Sequence, residues 1–144
     1  MKRKEKTSSQ KYRARIKKLK KDTDKLWGQA ILKLHPKCEF CKDAKSTDPH
    51  HFVPKSISNT LRYNTTNGIG LCRSHHFHHH CGNPFIQQRI IEQRGKKWFE
   101  YIKKEKEKII KHTTNIKWYE DHIERLSKEL IKIEKIYESK RPIK

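Results

Sequence analysis

Apolar positions are sparse at the start of the chain. Residues 1–21 offer Tyr12, Ile16 and Leu19 at helical spacing among eleven Lys and Arg and a single acidic residue, Glu5. A segment that can bury so little is expected to be a basic arm, flexible or helical. From Asp22 the pattern tightens. Leu26, Trp27, Ala30, Ile31 and Leu34 recur at three- and four-residue steps, Thr23 or Asp24 can cap their helix, and Pro36 ends it. Between Cys38 and Asn83 turn residues interrupt short apolar pieces, which predicts a strand at His50–Val53, a second at Ile69–Leu71 and a helix opening at Arg73. After Pro84 the chain reads as helix from Phe85 to Gln93, a break at Gly95, a basic helix through Trp98, Tyr101 and Ile102, and a last helix from about Asn115.

That last helix is the most regular. Ile116, Tyr119, Ile123, Leu126, Leu130, Ile133 and Tyr137 alternate steps of three and four, the spacing of a coiled-coil seam. Between Ile116 and Tyr137 basic and acidic residues balance at five each, so pairing rather than phosphate binding is its expected role. The partner is either a second copy, giving a homodimer, or the helix around Trp98 in the same chain. The expected organisation is a basic arm (1–21), a central unit with its leading helix (22–85) and C-terminal helices for DNA binding and dimerisation (86–144).

Charge narrows the partner. With 36 Lys and Arg against 16 Asp and Glu, the 144 residues carry a formal net charge of +20. A polyanion is the natural ligand, and nucleic acid the first candidate. No apolar run is long enough to span a bilayer and no secretory leader is recognisable, so a soluble, cytoplasmic protein is expected.

The four cysteines point to metal rather than to disulfides. Cys38-x-x-Cys41 and, thirty residues on, Cys72-x-x-His75 form two half-sites that can grip one structural Zn²⁺. Cys81 is an alternative fourth ligand.

Between and after these half-sites stand His50-His51, Asn67, and His76 directly following His75. That order resembles the HNH (ββα-metal, His-Me finger) nucleases. Cys38 to Cys41, Asp48 to Phe52, Leu61-Arg62-Tyr63-Asn64, Asn67, Cys72 and Gly82-Asn83 are most similar to the NinG/Rap recombination endonucleases of lambda-like phages. The resemblance covers about residues 24–138. It departs where His75-His76 replaces Cys-Asn, where one extra residue precedes Gly82, and where His50 replaces a small residue. It implies an α+β, mostly helical fold with a small zinc-stapled ββα-metal core between an N-terminal helix and long C-terminal helices. It also implies a metal-dependent DNA endonuclease acting on branched, Holliday-junction-like DNA.

Within that reading His51 is the general base. His50 and His76, with His80 a further candidate, hold a catalytic Mg²⁺ or another divalent ion. Asn67 completes the catalytic set, more as an orienter of the loop than as a ligand. Regular alternation would send His50 and His51 to opposite faces, so the hairpin is expected to twist or bulge. His78 and His79 are expected to be solvated or phosphate-facing. Arg62, Arg73, Lys96 and Lys97 are candidate DNA contacts. Two other readings stay open: a general nicking, homing or packaging-associated HNH nuclease, and a non-catalytic zinc-stapled DNA-binding protein.

Overall fold

The computed structural model describes residues 5–108 and 114–140. Positions 1–4 of the expected arm, and 109–113 and 141–144 of the C-terminal segment, lie outside the described residues. Among the described residues the fold is mostly helical with one two-stranded sheet, an α+β class.

The first helix, α1, runs unbroken from Ser8 to Leu34. Its cap is Thr7, in a reciprocal box with Gln10, and not Thr23 or Asp24. Thr23 is buried inside the helix, where its hydroxyl donates to the Leu19 carbonyl at 2.7 Å. Ile16 and Leu19, too few to order an arm alone, pack against a cluster that includes Tyr119 and Leu126. The partner of the arm is therefore remote in sequence, and its charge runs said nothing of it.

That partner is the last helix, α6 (Ile116–Ser139), capped by Asn115. Tyr119, Leu126, Leu130 and Ile133 of the predicted seam are buried, against Trp27, Ile31 and Ala30 of α1. Arg15–Glu120 at 2.7 Å and the Lys33–Glu134 pair, in the same order along both helices, show that α1 and α6 run parallel. Within the chain the seam therefore meets α1, not the helix around Trp98, while Tyr137 at its end stays exposed. The period fixed that a partner was needed but not which.

The sheet is an antiparallel hairpin of β1 (Asp48–His51) and β2 (Gly68–Leu71), paired Asp48↔Leu71 through His51↔Gly68 without a bulge. The first strand lies two residues earlier than its apolar composition suggested. Phe52 and Val53 leave it because Asn67 captures them: Phe52 N donates to the Asn67 carbonyl, and Val53 N to the Asn67 side chain. The Phe52–Asn67 bond also sets the ladder's alternation, so that the nitrogen of Pro49 points away from β2 and costs no hydrogen bond.

Alternation then decides what each face meets. One face carries Pro49, His51, Gly68 and Gly70 and lies on α1. A Cβ on Gly68 would sit 2.0 Å from Ile31 Cδ1, and one on Gly70 2.7 Å from the His35 carbonyl, so only glycine lets the helix approach this closely. The other face carries Asp48, His50, Ile69 and Leu71. Ile69 and Leu71 join Cys38, Ile86, Ile90 and Ile102 in the second core, which α4 (Pro84–Arg94) and α5 (Lys96–Glu107) cover. A short helix α2 (Asn59–Arg62) and a 3-10 turn (Thr65–Asn67) link the strands, and α3 (Arg73–His80) follows β2 directly.

Candidate metal clusters and groove

Cys38 and Cys41 sit on a small turn closed by Cys38 N to Ala44 O and Lys42 N to Cys38 O, with Lys42 in the left-handed region at φ 65°. Cys72 is the N-cap of α3, and His75 lies one turn in. The four ligand atoms lie within 4.8 Å of one another and could hold a metal ion. His75 Nδ1 is 3.0 Å from Cys72 Sγ and 3.7 Å from Cys38 Sγ. Edges of a tetrahedron around Zn²⁺ with its usual bond lengths are about 3.5–3.8 Å, so the donor set and spacing are compatible with structural zinc. Burial pushes the Cys38 thiol up, whereas the Ala44 backbone pulls the Cys41 thiol down. Cys81, the alternative ligand, is exposed at the end of α3 and outside the cluster.

The turn carrying these cysteines is clamped from behind. Glu39, buried beside Cys38, accepts from Gly70 N at 2.9 Å and from Arg94 Nε and Nη2 at 2.9 and 2.8 Å. Arg94 also donates to the carbonyls of Thr66 and Gly68. His35 completes the group. Its Nε2 accepts from Arg94 at 3.2 Å, which leaves the proton on Nδ1, 3.5 Å from Glu39.

A second cluster shares α3. His50 on β1 and His76 and His80 on α3 bring one ring nitrogen each within 4.8 Å. The i, i+4 spacing puts His76 and His80 on one helical face, with Nε2 to Nε2 of 3.0 Å, near the edge of about 3.3 Å for two imidazoles on one tetrahedral ion. His76 Nδ1 faces Asp48 Oδ1 at 3.4 Å, so a proton on Nδ1 toward the carboxylate leaves Nε2 free for the cluster. Asp48 also accepts from Arg73 at 3.0 Å and from Thr47 at 2.7 Å. Burial, then the neighbouring histidines, lowers His50 to about 3, and burial lowers His76 and His79 as well. Neutral rings are what a ligand set requires. Three imidazoles suit a transition ion; Mg²⁺, which prefers oxygen, finds little support in this donor set.

His51 reaches the same groove from the opposite face of β1. Its ring stacks on Trp27 of α1, with centroids 3.8 Å apart and planes 7° from parallel. Its Nε2 lies 2.7 Å from the Arg62 carbonyl, which can only accept, so the proton sits on Nε2 and the Nδ1 lone pair is left open. Burial lowers His51 to about 4. No bulge was needed to combine His50 and His51. The groove, with a volume of about 930 Å³, crosses the end of the strand and is walled by Asp24 and Trp27 on one side and His76, His79 and His80 on the other.

The remaining expected residues divide. Asn67 does not reach the cluster. It is fully buried, and its amide donates to the carbonyls of Val53 and Leu61, tying the loop after His51 to the start of β2. Arg62 is engaged internally: its side chain, 12% exposed, meets Asp24, which Tyr63 also binds at 2.8 Å. Arg73, 84% exposed, is open to a ligand beside His76. Lys96 and Lys97 are exposed on α5 but do not line the groove. His78 is exposed, while His79 is packed edge-on against His50, 4.4 Å away, with a buried and unpartnered Nδ1. Sequence reading assigned no role to Trp27, Asp48 or the Glu39–Arg94 pair. The one local signal was Asp48, two residues before His50 and so on the same strand face.

Comparison with protein-family models, with curated proteins and with solved structures returns no match to this chain. Among the described residues no helix is long and apolar enough to cross a membrane.

Proposed function

We propose that this protein is a metal-dependent DNA endonuclease of the HNH kind. The observation that carries the reading is the convergence of His50, His76 and His80 beside His51, in one groove of a strongly basic chain. A transition ion bound by the three imidazoles would supply positive charge for the phosphodiester transition state. The rest falls to the chain's own groups. His51, neutral and held by Arg62 and Trp27, presents Nδ1 as the base that takes the proton of the attacking water. Asp48 orients His76, and Arg73 offers a guanidinium to the phosphate from the rim of the groove. Cys38, Cys41, Cys72 and His75 hold Zn²⁺ as a structural staple that fixes the start of α3, and with it His76 and His80.

Preference for branched DNA rests on the resemblance to the NinG/Rap enzymes. A resolvase needs two active sites on one junction, and with Tyr119, Leu126, Leu130 and Ile133 packed on α1, a pairing of two copies would use surface that these four residues do not supply.

Purified protein and its His51→Ala variant, each given Mn²⁺, Ni²⁺ or Mg²⁺ with four-way, nicked and linear DNA, test the reading. Cleavage by the parent protein should fall by 10² or more in the variant. Equal cleavage by both removes His51 as the base, and none by either leaves only a zinc-stapled DNA-binding protein.

A further inference from the structure

The exposed part of α1 is densely basic. Between Ser8 and Lys25 it holds eight Lys and Arg against Asp22 and Asp24. On α6 the corresponding charges are matched, as in Lys117–Asp121, Lys128–Glu124 and Arg125–Glu129. On α1 Arg15 is bonded to Glu120, while Arg13, Lys17, Lys20 and Lys21 are exposed and have no acidic partner among the described residues.

Helical geometry says where these side chains stand. Arg13, Lys17, Lys20, Asp24 and Trp27 follow one another at steps of 4, 3, 4 and 3, so they share one face of α1. The last two wall the groove beside His51. The three cations therefore continue the groove wall outward along the helix, for about 21 Å from Trp27 to Arg13 at about 1.5 Å per residue. That is the length of about six base pairs at about 3.4 Å each.

We propose that this face of α1 is the binding surface for the phosphodiester backbone of a DNA duplex arm that extends from the groove, with Arg13, Lys17 and Lys20 as the phosphate contacts. The α1 face, and not α5 with Lys96 and Lys97, is then the main electrostatic grip. A lipid surface fits worse. An amphipathic helix enters a membrane by its apolar side, and the apolar side of α1, Ile16 and Leu19 included, is covered by α6. The proposal rests on the nuclease reading only for the direction in which the DNA leaves the groove.

The test uses full-length protein carrying His51→Ala, so that binding is read without cleavage, and a labelled 24-base-pair duplex titrated at several salt concentrations. Two triple variants remove the same charge: R13Q/K17Q/K20Q on the groove side, and K11Q/K18Q/K25Q on the opposite side of α1. The first should weaken binding roughly tenfold or more and flatten the slope of log affinity against log salt by about 2 to 3, the second by less than 1. Circular dichroism confirms that α1 stays helical in both. Equal losses in the two triples would mean that only total charge matters, and no loss in the first would mean that the face is not used; either overturns the proposal. So would unchanged duplex binding by the first triple with weakened binding to phosphatidylserine vesicles. Failure of the nuclease reading looks different: no cleavage by wild type or His51→Ala, whatever the triples do.

Discussion

Two clusters of metal-ligating side chains share α3, and His75 of one is the chain neighbour of His76 of the other. The first combines three thiols with one imidazole, includes the buried Cys38, and is braced by Glu39 and Arg94. The second combines three imidazoles around a groove of about 930 Å³, with His80 exposed. Four ligands close the shell of a tetrahedral ion, whereas three leave a place for water or substrate. Donor count and burial are therefore what distinguish the two clusters.

The comparison breaks first at the closed cluster. Cys72→Ser should remove a tightly held ion and, with it, stability of up to about 10 kcal/mol in a region with so small a core. Native mass spectrometry and a thermal melt read both. A variant that keeps its melting temperature would strip this cluster of any structural role. Next is the brace. Arg94→Ala leaves the buried Glu39 carboxylate without its guanidinium and should cost about 3–5 kcal/mol in urea unfolding. Replacing both residues by Met should cost much less than the single change. An equal cost would mean that packing, not charge, does the bracing.

At the open cluster the expected effects are smaller and local. Asp48→Asn removes the carboxylate facing His76 and should weaken Ni²⁺ or Mn²⁺ binding by about 10–100-fold in calorimetry, while the thermal melt stays near that of the parent. A fall in melting temperature without a change in affinity would recast Asp48 as a partner of Arg73 alone.

The mildest effect is that of acid. Burial, the largest influence on His35, lowers its pKa from 6.5, with Arg94 acting in the same direction and Glu39 against it. The folded state therefore binds fewer protons than the unfolded one. His35 contributes its full stability above about pH 6.5, and loses it as pH falls through the lower folded value. His35→Gln should flatten the decline of urea midpoint below pH 6.5, and an unchanged decline would rule His35 out as its source.

What the sequence disclosed and what it hid differ in physical range. The closed cluster was legible because each half-site is an i, i+3 pair, and the open one because His76 and His80 lie one turn apart. Helix ends at Asn83, Gly95 and Asn115 were likewise local, set by caps or a positive φ. The Glu39–Arg94 brace joins residues 55 apart, and the stack of Trp27 on His51 joins a helix to a strand that no spacing rule connects. The register of the hairpin was obscured by Pro49, a turn residue in isolation and harmless where its nitrogen faces outward. For the N-terminal arm the choice between flexible and helical stayed open for the opposite reason. Its charges were visible, but the seam of α6 that orders it lies a hundred residues away.

The eight residues of α3 leave almost no freedom for this protein to drift. Because neighbouring positions 75 and 76 serve different clusters, inserting one amino acid between them would swing the downstream ring by about 100° and lengthen its reach by about 1.5 Å. The closed cluster, whose ligands all precede the insertion, would stay complete, and the open one could be restored only by disturbing it. Substitutions can accumulate around such a helix, but a change in its length would have to arise together with a change in β1.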